Sequence, residues 1–167
     1  MNYRSSKLKA QSSRKASRAN SQVPIEGWED AWWREIEQEE LGTLVLREAE
    51  PSPSNQHPWN LEERVTLFGE QIVRFSKKLP REPTNNRLID QLVGAGTSVG
   101  ANYCEANEAV SKRDFRFSIS RCAKEAKETK FFLRMVVASE PPMAEQARPL
   151  YREAHELLLI FGSMRHK

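Results

Sequence analysis

Seven basic side chains gather on one side of a predicted long helix near residues 112–136. At 3.6 residues per turn they occupy an arc of about 120° beside the apolar positions of that helix. The seven residues are Lys112, Arg113, Arg116, Lys124, Lys127, Lys130 and Arg134. Such an array binds phosphates without reading base sequence, and its affinity falls steeply with salt. The pattern predicts nucleic-acid binding; the alternatives are a solvated face holding pairs such as Lys124 with Glu128, or pairing with a neighbouring protomer.

A tryptophan-rich segment is the second candidate binding element. Trp28, Trp32 and Ile36 recur every four residues, so they share one face of a helix, and Trp33 lies beside them. Large aromatic side chains are common anchors in the grooves of partner proteins. The sequence favours a helix that binds a partner protein or a neighbouring protomer through these four residues. The alternative is that this helix packs on the chain's own bundle.

Residue types that serve catalysis are present, but not in catalytic arrangements. A nucleophile needs a positioned base, and none of His57, His155 and His166 has a plausible serine or cysteine partner beside it. The Glu-x-x-His pairs of di-iron bundles are absent, and Cys104 and Cys122 are interpreted as small apolar residues. We therefore predict a protein that is not an enzyme and has no cofactor and no metal site. We also predict a cytoplasmic protein, since no apolar run is long enough to span a membrane.

Charge is segregated along the chain. Residues 1–20 hold six basic residues and no acidic ones, whereas residues 21–58 hold nine acidic and two basic residues. The first block has too few large apolar side chains to offset its ordering entropy, so it is either a phosphate-attracted arm or a solubilising terminus. We divide the chain into a basic flexible tail (1–24), an acidic tryptophan-rich amphipathic helix (25–50), a Pro/Ser linker (51–58) and a four-helix bundle (59–167).

Apolar residues repeat at steps of three and four residues in four stretches after residue 58. This period is typical of helices that bury one face. The four apolar seams cover residues 61–79, 88–106, 115–136 and 150–164. Asn60 and Ser111 are predicted N-caps, and Pro80 and Pro83 are expected to end the first helix. Because helices of this length with short connections pack antiparallel, the predicted fold class is all-α, an antiparallel up-down four-helix bundle with an N-terminal basic tail and an additional acidic tryptophan-rich helix.

The second helix of the bundle is rich in small residues, including Gly94, Gly96 and Gly100. A nucleotide-binding loop would need a preceding strand, whereas residues 86–93 have a helical pattern. An interior glycine costs about 1 kcal/mol relative to alanine, so we expect a neighbouring helix to approach closely there. Asn102 interrupts the same apolar seam. It is predicted either to fix the helix register through a buried polar contact or to act at a subunit interface.

Three stretches of the predicted bundle form a recognisable signature. Residues 98–106 are SVGANYCEA, residues 111–115 are SKRDF, and residues 124–133 are KEAKETKFFL. They resemble, at the same spacing, the motifs Ser-Ile-Gly-Ala-Asn-Tyr-x-Glu-Ala, Ser-x-x-Asp-Phe and Lys-Glu-Ala-x-Glu-Thr-x-Tyr-Trp-Leu of the 23S ribosomal RNA intervening-sequence family of four-helix bundle proteins. Phe131 and Phe132 replace the Tyr-Trp pair, an exchange of aromatics that keeps the packing role. Residues 1–58 lie outside the resemblance.

The resemblance implies a homopentameric, barrel-like assembly of small bundles. A related branch of the family serves as the accessory protein of diversity-generating retroelements, which binds a reverse transcriptase and nucleic acid through a basic surface. For this chain the resemblance implies a ring-forming protein that binds partners, among them RNA or DNA, and it offers no catalytic residue. The alternative function is a protein-only oligomeric scaffold whose tryptophan-rich helix docks a client protein.

Overall fold

The computed structural model describes residues 32–38 and 60–165 of the chain, and these residues form five α-helices and one 3₁₀ turn. Helix α1 covers residues 32–38, α2 Leu61–Ser76, α3 Pro83–Asn107, α4 Lys112–Ser139 and α5 Ala144–Met164, with the 3₁₀ turn at Pro141–Met143. These two stretches contain no strand, and the all-α prediction is confirmed. The predicted tail (1–24), the linker (51–58) and the remainder of the predicted helix 25–50 lie outside the described residues.

The starts of α2 and α4 follow the capping chemistry expected from the sequence. The Asn60 side chain accepts a hydrogen bond from the Glu63 amide at 3.2 Å. The Ser111 hydroxyl accepts a hydrogen bond from the Asp114 amide at 3.1 Å and donates to the Asp114 carboxylate at 2.6 Å. Helix α3 begins earlier than expected, because Pro83 occupies its first turn. Proline fits there since its missing N–H would have no partner within the helix.

Contacts between the helices show that α3 runs antiparallel to both of its neighbours. The pairs that establish this order are Glu62–Asn107 and Ile72–Gly96 between α2 and α3, and Glu105–Arg121 and Asn85–Ser139 between α3 and α4. Helix α5 closes the bundle against α2. There the Arg64 guanidinium forms ion pairs with Glu153, 2.6 Å from its Nε, and with Glu156. Helices α2–α5 thus surround one interior.

The interior of the bundle is filled by the four predicted apolar seams. Residues that are at most 1% exposed come from all four helices: Phe68, Ile72, Leu92, Val99, Ile119, Leu133, Leu157 and Phe161. Four seam positions deviate from the prediction, because Leu61, Leu88, Phe115 and Met164 are only partly buried, and Ile89 takes the buried position next to Leu88. The buried face of α4 is also wider than its seam, since it includes Lys130.

Close approach of a neighbouring helix is confirmed for one glycine of α3. A Cβ atom at Gly96 would lie 2.8 Å from Cγ2 of Ile72 on α2, which is too close for any side chain. A Cβ at Gly100 would make ordinary contact with the Val65 carbonyl oxygen at 3.5 Å, and one at Gly94 would meet nothing within 4 Å. Of the three glycines of α3, packing therefore requires only the one at position 96.

Two buried asparagines of α3 satisfy their amides in different ways. Asn102 is 1% exposed and donates to the carbonyl of Ser98 in its own helix at 2.7 Å. Asn85 is 2% exposed, donates to the Glu140 carboxylate at 2.7 Å and accepts from the Ser139 hydroxyl at 2.8 Å. Contact between α3 and the end of α4 is thus fixed by Asn85, which the sequence pattern did not single out.

Candidate nucleic-acid interface

Five of the seven predicted nucleic-acid-binding residues are exposed along the first part of α4. These residues, which we call the open half of the basic face, are Lys112, Arg113, Arg116, Lys124 and Lys127. Helix α4 presents them outward because another side of the helix carries Ile119 and Ala126, which are fully buried in the bundle. From its first to its last residue the open half extends about 23 Å at the rise of an α-helix.

Among the residues that the structure describes, most of the positive charge of the open half has no carboxylate partner. Within the described residues only Lys124 of the five has a carboxylate at salt-bridge distance, that of Glu128 at 3.3 Å. An exposed pair of this kind contributes at most about 1 kcal/mol, so a ligand can displace it. A phosphate that approaches this side of α4 therefore meets available charged donors.

The two remaining predicted residues lie against α1. We call these residues, Lys130 and Arg134, the covered half of the basic face. Lys130 is 9% exposed, and its Nζ donates to Oε1 of Glu37 at 2.8 Å and to Nδ1 of His155 at 2.7 Å. The Arg134 guanidinium lies over the ring of Trp33, 4.8 Å from its centroid. Both side chains are engaged by the chain itself while α1 holds this position.

The apolar face of α1 packs on the bundle of the same chain. Trp32 and Ile36 are 6% and 3% exposed, and the Trp32 ring meets the ring of Tyr151 edge-on at a centroid distance of 5.2 Å. The sequence favours a partner protein or a neighbouring protomer as the binding surface for Trp32, Trp33 and Ile36. In the structure Trp32 and Ile36 are instead buried against the chain's own bundle, and Trp33 is partly buried there. Trp28, the fourth predicted partner-binding residue, lies outside the described residues.

The groups around Glu37 hold its carboxylate ionised. Burial alone would raise the pKa of Glu37, but hydrogen bonds from Lys130 and Tyr151 and nearby positive charge outweigh it, so the pKa lies below the ordinary value of 4.5. The Tyr151 hydroxyl donates to Oε1 of Glu37 at 2.6 Å, and burial together with that carboxylate raises the pKa of Tyr151. Burial and the charge of Lys130 lower the pKa of His155, which favours the neutral imidazole that accepts from Lys130.

The contact between α1 and the bundle leaves buried polar atoms without hydrogen bonds. The described residues have four such side-chain atoms, and three of them are Trp32 Nε1, Arg134 Nε and Arg148 Nε. Arg148 reaches α1 through its guanidinium, which lies 5.6 Å from the Trp32 ring centroid. Each unpaired donor costs about 1–3 kcal/mol, whereas burying a large apolar side chain contributes about 1.5–3 kcal/mol. The free energy of docking α1 is therefore the sum of opposing contributions of similar size.

Two exposed phenylalanines border the open half. Phe117 is 65% exposed and Phe131 is 53% exposed. They lie seven residues before and after Lys124, so the three side chains fall on one line along α4. The packing role expected of the aromatic pair at 131 and 132 belongs to Phe132 alone, which packs against the core. The seven-residue spacing was the signal in the sequence, since it places both phenylalanines on the basic side of the helix.

The cysteines and potential metal ligands of the described residues are dispersed. In this part of the chain, no cluster of three or more His, Cys, Asp or Glu residues could hold a metal ion. Cys122 is buried, which raises the pKa of its thiol to about 12 and keeps it protonated. Cys104 is exposed, and both thiols are free. None of the helices in residues 32–38 and 60–165 is long and apolar enough to cross a membrane.

The fold and the site together define a small all-α bundle protein that displays a basic helix face. The chain belongs to the 23S rRNA-intervening sequence protein family, whose model matches residues 62–162, and the resemblance of its motifs to that family is confirmed. A similar solved structure is a protein of unknown function from the S23 ribosomal protein family of Bacteroides thetaiotaomicron VPI-5482. It is 25% identical, with a TM-score of 0.57, and the match covers 64% of this chain and 98% of that chain. No curated protein matches the chain.

Proposed function

We propose that the chain is a non-catalytic accessory protein that binds nucleic acid along the open half of the basic face of α4. The observation that carries the proposal is a strip of five exposed basic side chains on one helix, of which only Lys124 has a carboxylate partner among the described residues. Solubility alone does not call for such a strip, because interspersed charges of both signs solubilise a surface as well. Charge of one sign concentrated along one strip favours a polyanionic ligand.

The chemistry of the strip suits a phosphate backbone. Lysine and arginine donate charge-assisted hydrogen bonds to phosphate oxygens. If all five residues neutralise a phosphate, the logarithm of the affinity should fall with the logarithm of salt with a slope of about −3.5 for a single strand. The exposed rings of Phe117 and Phe131 add surfaces on which unpaired bases can stack. Single-stranded RNA or DNA is therefore the favoured ligand.

The proposal includes assembly and a partner, both of which rest on the family resemblance. The chain forms a ring of identical subunits, a homopentamer, and associates with a partner enzyme such as a reverse transcriptase. In a ring the open halves form one positive band, so a long nucleic acid contacts several subunits at once and gains avidity. Leu67 and Val110, 44% and 95% exposed, offer apolar surface for contacts between subunits. A monomeric mass in light scattering at micromolar concentration would contradict the ring.

Matched charge reversals test binding at the open half. Arg113→Glu, Arg116→Glu and Lys127→Glu together should lower the affinity for a labelled single strand of about 20 nucleotides on the order of a hundredfold at low salt, since attraction to phosphates becomes repulsion. Fluorescence anisotropy measures the affinity, and circular dichroism checks that the variant remains helical.

The control variant changes the net charge equally but leaves α4 intact. It reverses three exposed basic residues on α3 and on the connection that precedes it, Lys77→Glu, Arg81→Glu and Arg87→Glu. This variant should retain the affinity within about threefold, because long-range attraction between exposed charges is screened by salt. Equal losses in the two triple variants, or no loss in the first, would contradict binding at the open half.

A further inference from the structure

We propose that the surface beneath α1 is a second phosphate-binding region, and that α1 occupies it as a built-in competitor of nucleic acid. This surface, which we call the α1 seat, consists of Lys130 and Arg134 on α4 and of Arg148, Tyr151 and His155 on α5. The inference rests on the proposed function, because it extends the same nucleic-acid interface from the open half into the covered half.

The carboxylate of Glu37 shows which chemical group the α1 seat accepts. Its Oε1 receives hydrogen bonds from Nζ of Lys130 at 2.8 Å and from the hydroxyl of Tyr151 at 2.6 Å. Nδ1 of His155 lies 2.7 Å from the same Nζ and holds the ammonium in place. A non-bridging phosphate oxygen is also anionic and accepts hydrogen bonds from the same donors at similar distances. A phosphate can therefore take the place of the carboxylate.

Two arginines of the α1 seat have buried nitrogens that α1 does not satisfy. Arg134 and Arg148 lie 4.8 and 5.6 Å from the ring centroids of Trp33 and Trp32, and the Nε atom of each is buried without a hydrogen bond. Arg148 has one further contact, an ion pair with Glu145 at 3.7 Å. An indole ring attracts a cation but has no oxygen to accept from a guanidinium, whereas phosphate accepts two parallel hydrogen bonds. Phosphate thus satisfies these arginines better than α1 does.

The α1 seat continues the open half along α4. Lys130 follows Lys127 by one helical turn and Arg134 follows it by two, so the basic strip lengthens from about 23 Å to about 33 Å once α1 leaves. While α1 is docked, Glu37 places an acidic group where the strip would continue. Helix α1 thus confines the nucleic acid to the first part of α4, and its release adds at least two phosphate contacts.

Variants of α1 in the full chain test this competition. Trp32→Ala with Ile36→Ala removes the two buried anchors, and Glu37→Gln keeps the side-chain size but removes its charge. The affinity for the labelled single strand should rise about tenfold in the first variant and about threefold in the second, and the salt slope of the first should steepen by about 1.4 for two added phosphates. Glu35→Gln is the matched control, since Glu35 is an exposed carboxylate of the same helix, and it should change the affinity by less than about twofold.

Second-site substitutions, and a second ligand that is not a nucleic acid, show what a gain in affinity means. Adding Lys130→Gln and Arg134→Gln to the anchor variant should remove the gain.

Unchanged or lower affinity in both α1 variants, with binding still lost in the triple reversal of the open half, overturns the competition and leaves the proposed function standing. If the triple reversal leaves binding intact, the proposed function fails and the inference fails with it. An equal gain for poly-glutamate would make the α1 seat an acidic-peptide site and would also overturn the inference. Thermal melting checks that each variant is folded. If the anchor variant does not fold, the conservative Glu37→Gln variant still tests the competition.

Discussion

The open and covered halves of the basic face of α4 are alike in sequence but differ in environment. Lys127 and Lys130 are one helical turn apart, yet Lys127 is exposed while Lys130 is only 9% exposed. The difference comes from α1, whose Glu37 precedes Lys130 by 93 positions in the chain. The helical wheel of α4 does not contain this information, because the covering residues belong to a distant segment. Whether a basic residue is available to a ligand is thus decided by tertiary contacts.

The two halves also differ in how their charge is stabilised. An exposed lysine keeps its hydration, so its substitution changes ligand binding and has little effect on stability. Lys130 has lost most of its hydration, and the carboxylate of Glu37 and the imidazole of His155 replace the water. Removing one partner of such a contact leaves a buried polar group unsatisfied. We therefore expect substitutions to change affinity in the open half, and stability or the docking of α1 in the covered half.

The largest expected effect concerns the bundle that carries both halves. Leu133 lies between Lys130 and Arg134 in the sequence and is fully buried. Leu133→Ala should lower the free energy of unfolding by about 2–5 kcal/mol, since it removes apolar atoms and leaves a cavity. Chemical denaturation followed by circular dichroism measures the loss. Gln71→Ala, at an exposed position of α2, is the control and should cost less than about 1 kcal/mol. A loss no larger than the control's would mean that Leu133 is not part of the core that supports both halves.

The helices of the bundle could be predicted from the sequence because the information that specifies them is local. The apolar seams fall within α2–α5, and Asn60 and Ser111 cap the helices that follow them. The start of α3 could not be predicted in this way: Pro83 was expected to end the first helix but occupies the first turn of the next, and proline is compatible with both positions. Local propensity does not distinguish these two roles.

The candidate site could be predicted only in part, because the availability of its residues is not a local property. Helical periodicity placed the basic residues on one side of α4, but it could not show that Glu37 pairs with Lys130. The same limit applies within α3, where Gly94 and Gly96 lie two residues apart and only Gly96 faces Ile72. In each case the deciding neighbour comes from another helix.

Two alanine substitutions compare the halves directly. Lys130→Ala should lower the free energy of unfolding by about 1–2 kcal/mol, because it removes the donor to Glu37 and His155. This estimate is at the lower end of the usual range since the Glu37 side chain is 46% exposed and water can reach it. Lys127→Ala should change the free energy of unfolding by less than about 0.5 kcal/mol. Urea denaturation of both variants measures the difference; equal losses would mean that the two lysines have the same environment.

The smallest expected effect is the dependence of α1 docking on pH. Because the pKa of Glu37 lies below its ordinary value of 4.5, the ionised carboxylate stabilises the docked helix above that pH, and this stabilisation is lost as the pH falls through the folded-state pKa. Trp32 and Trp33 lie in α1, so their release into water should shift the tryptophan fluorescence to longer wavelength. We expect this shift when the pH is lowered from about 6 to below 4.5.

Comparison with Glu37→Gln isolates the contribution of this carboxylate. Trp28 and Trp59 fluoresce in both proteins, and His155 titrates in both. The pKa of His155 is lowered in the folded chain, so its contribution to stability is lost as the pH falls below its ordinary value of 6.5. Only the transition below about pH 4.5 should be absent from the variant, because glutamine does not titrate. Identical shifts in the two proteins would assign the release of α1 to other groups, and Glu37 would no longer account for the difference between the open and covered halves.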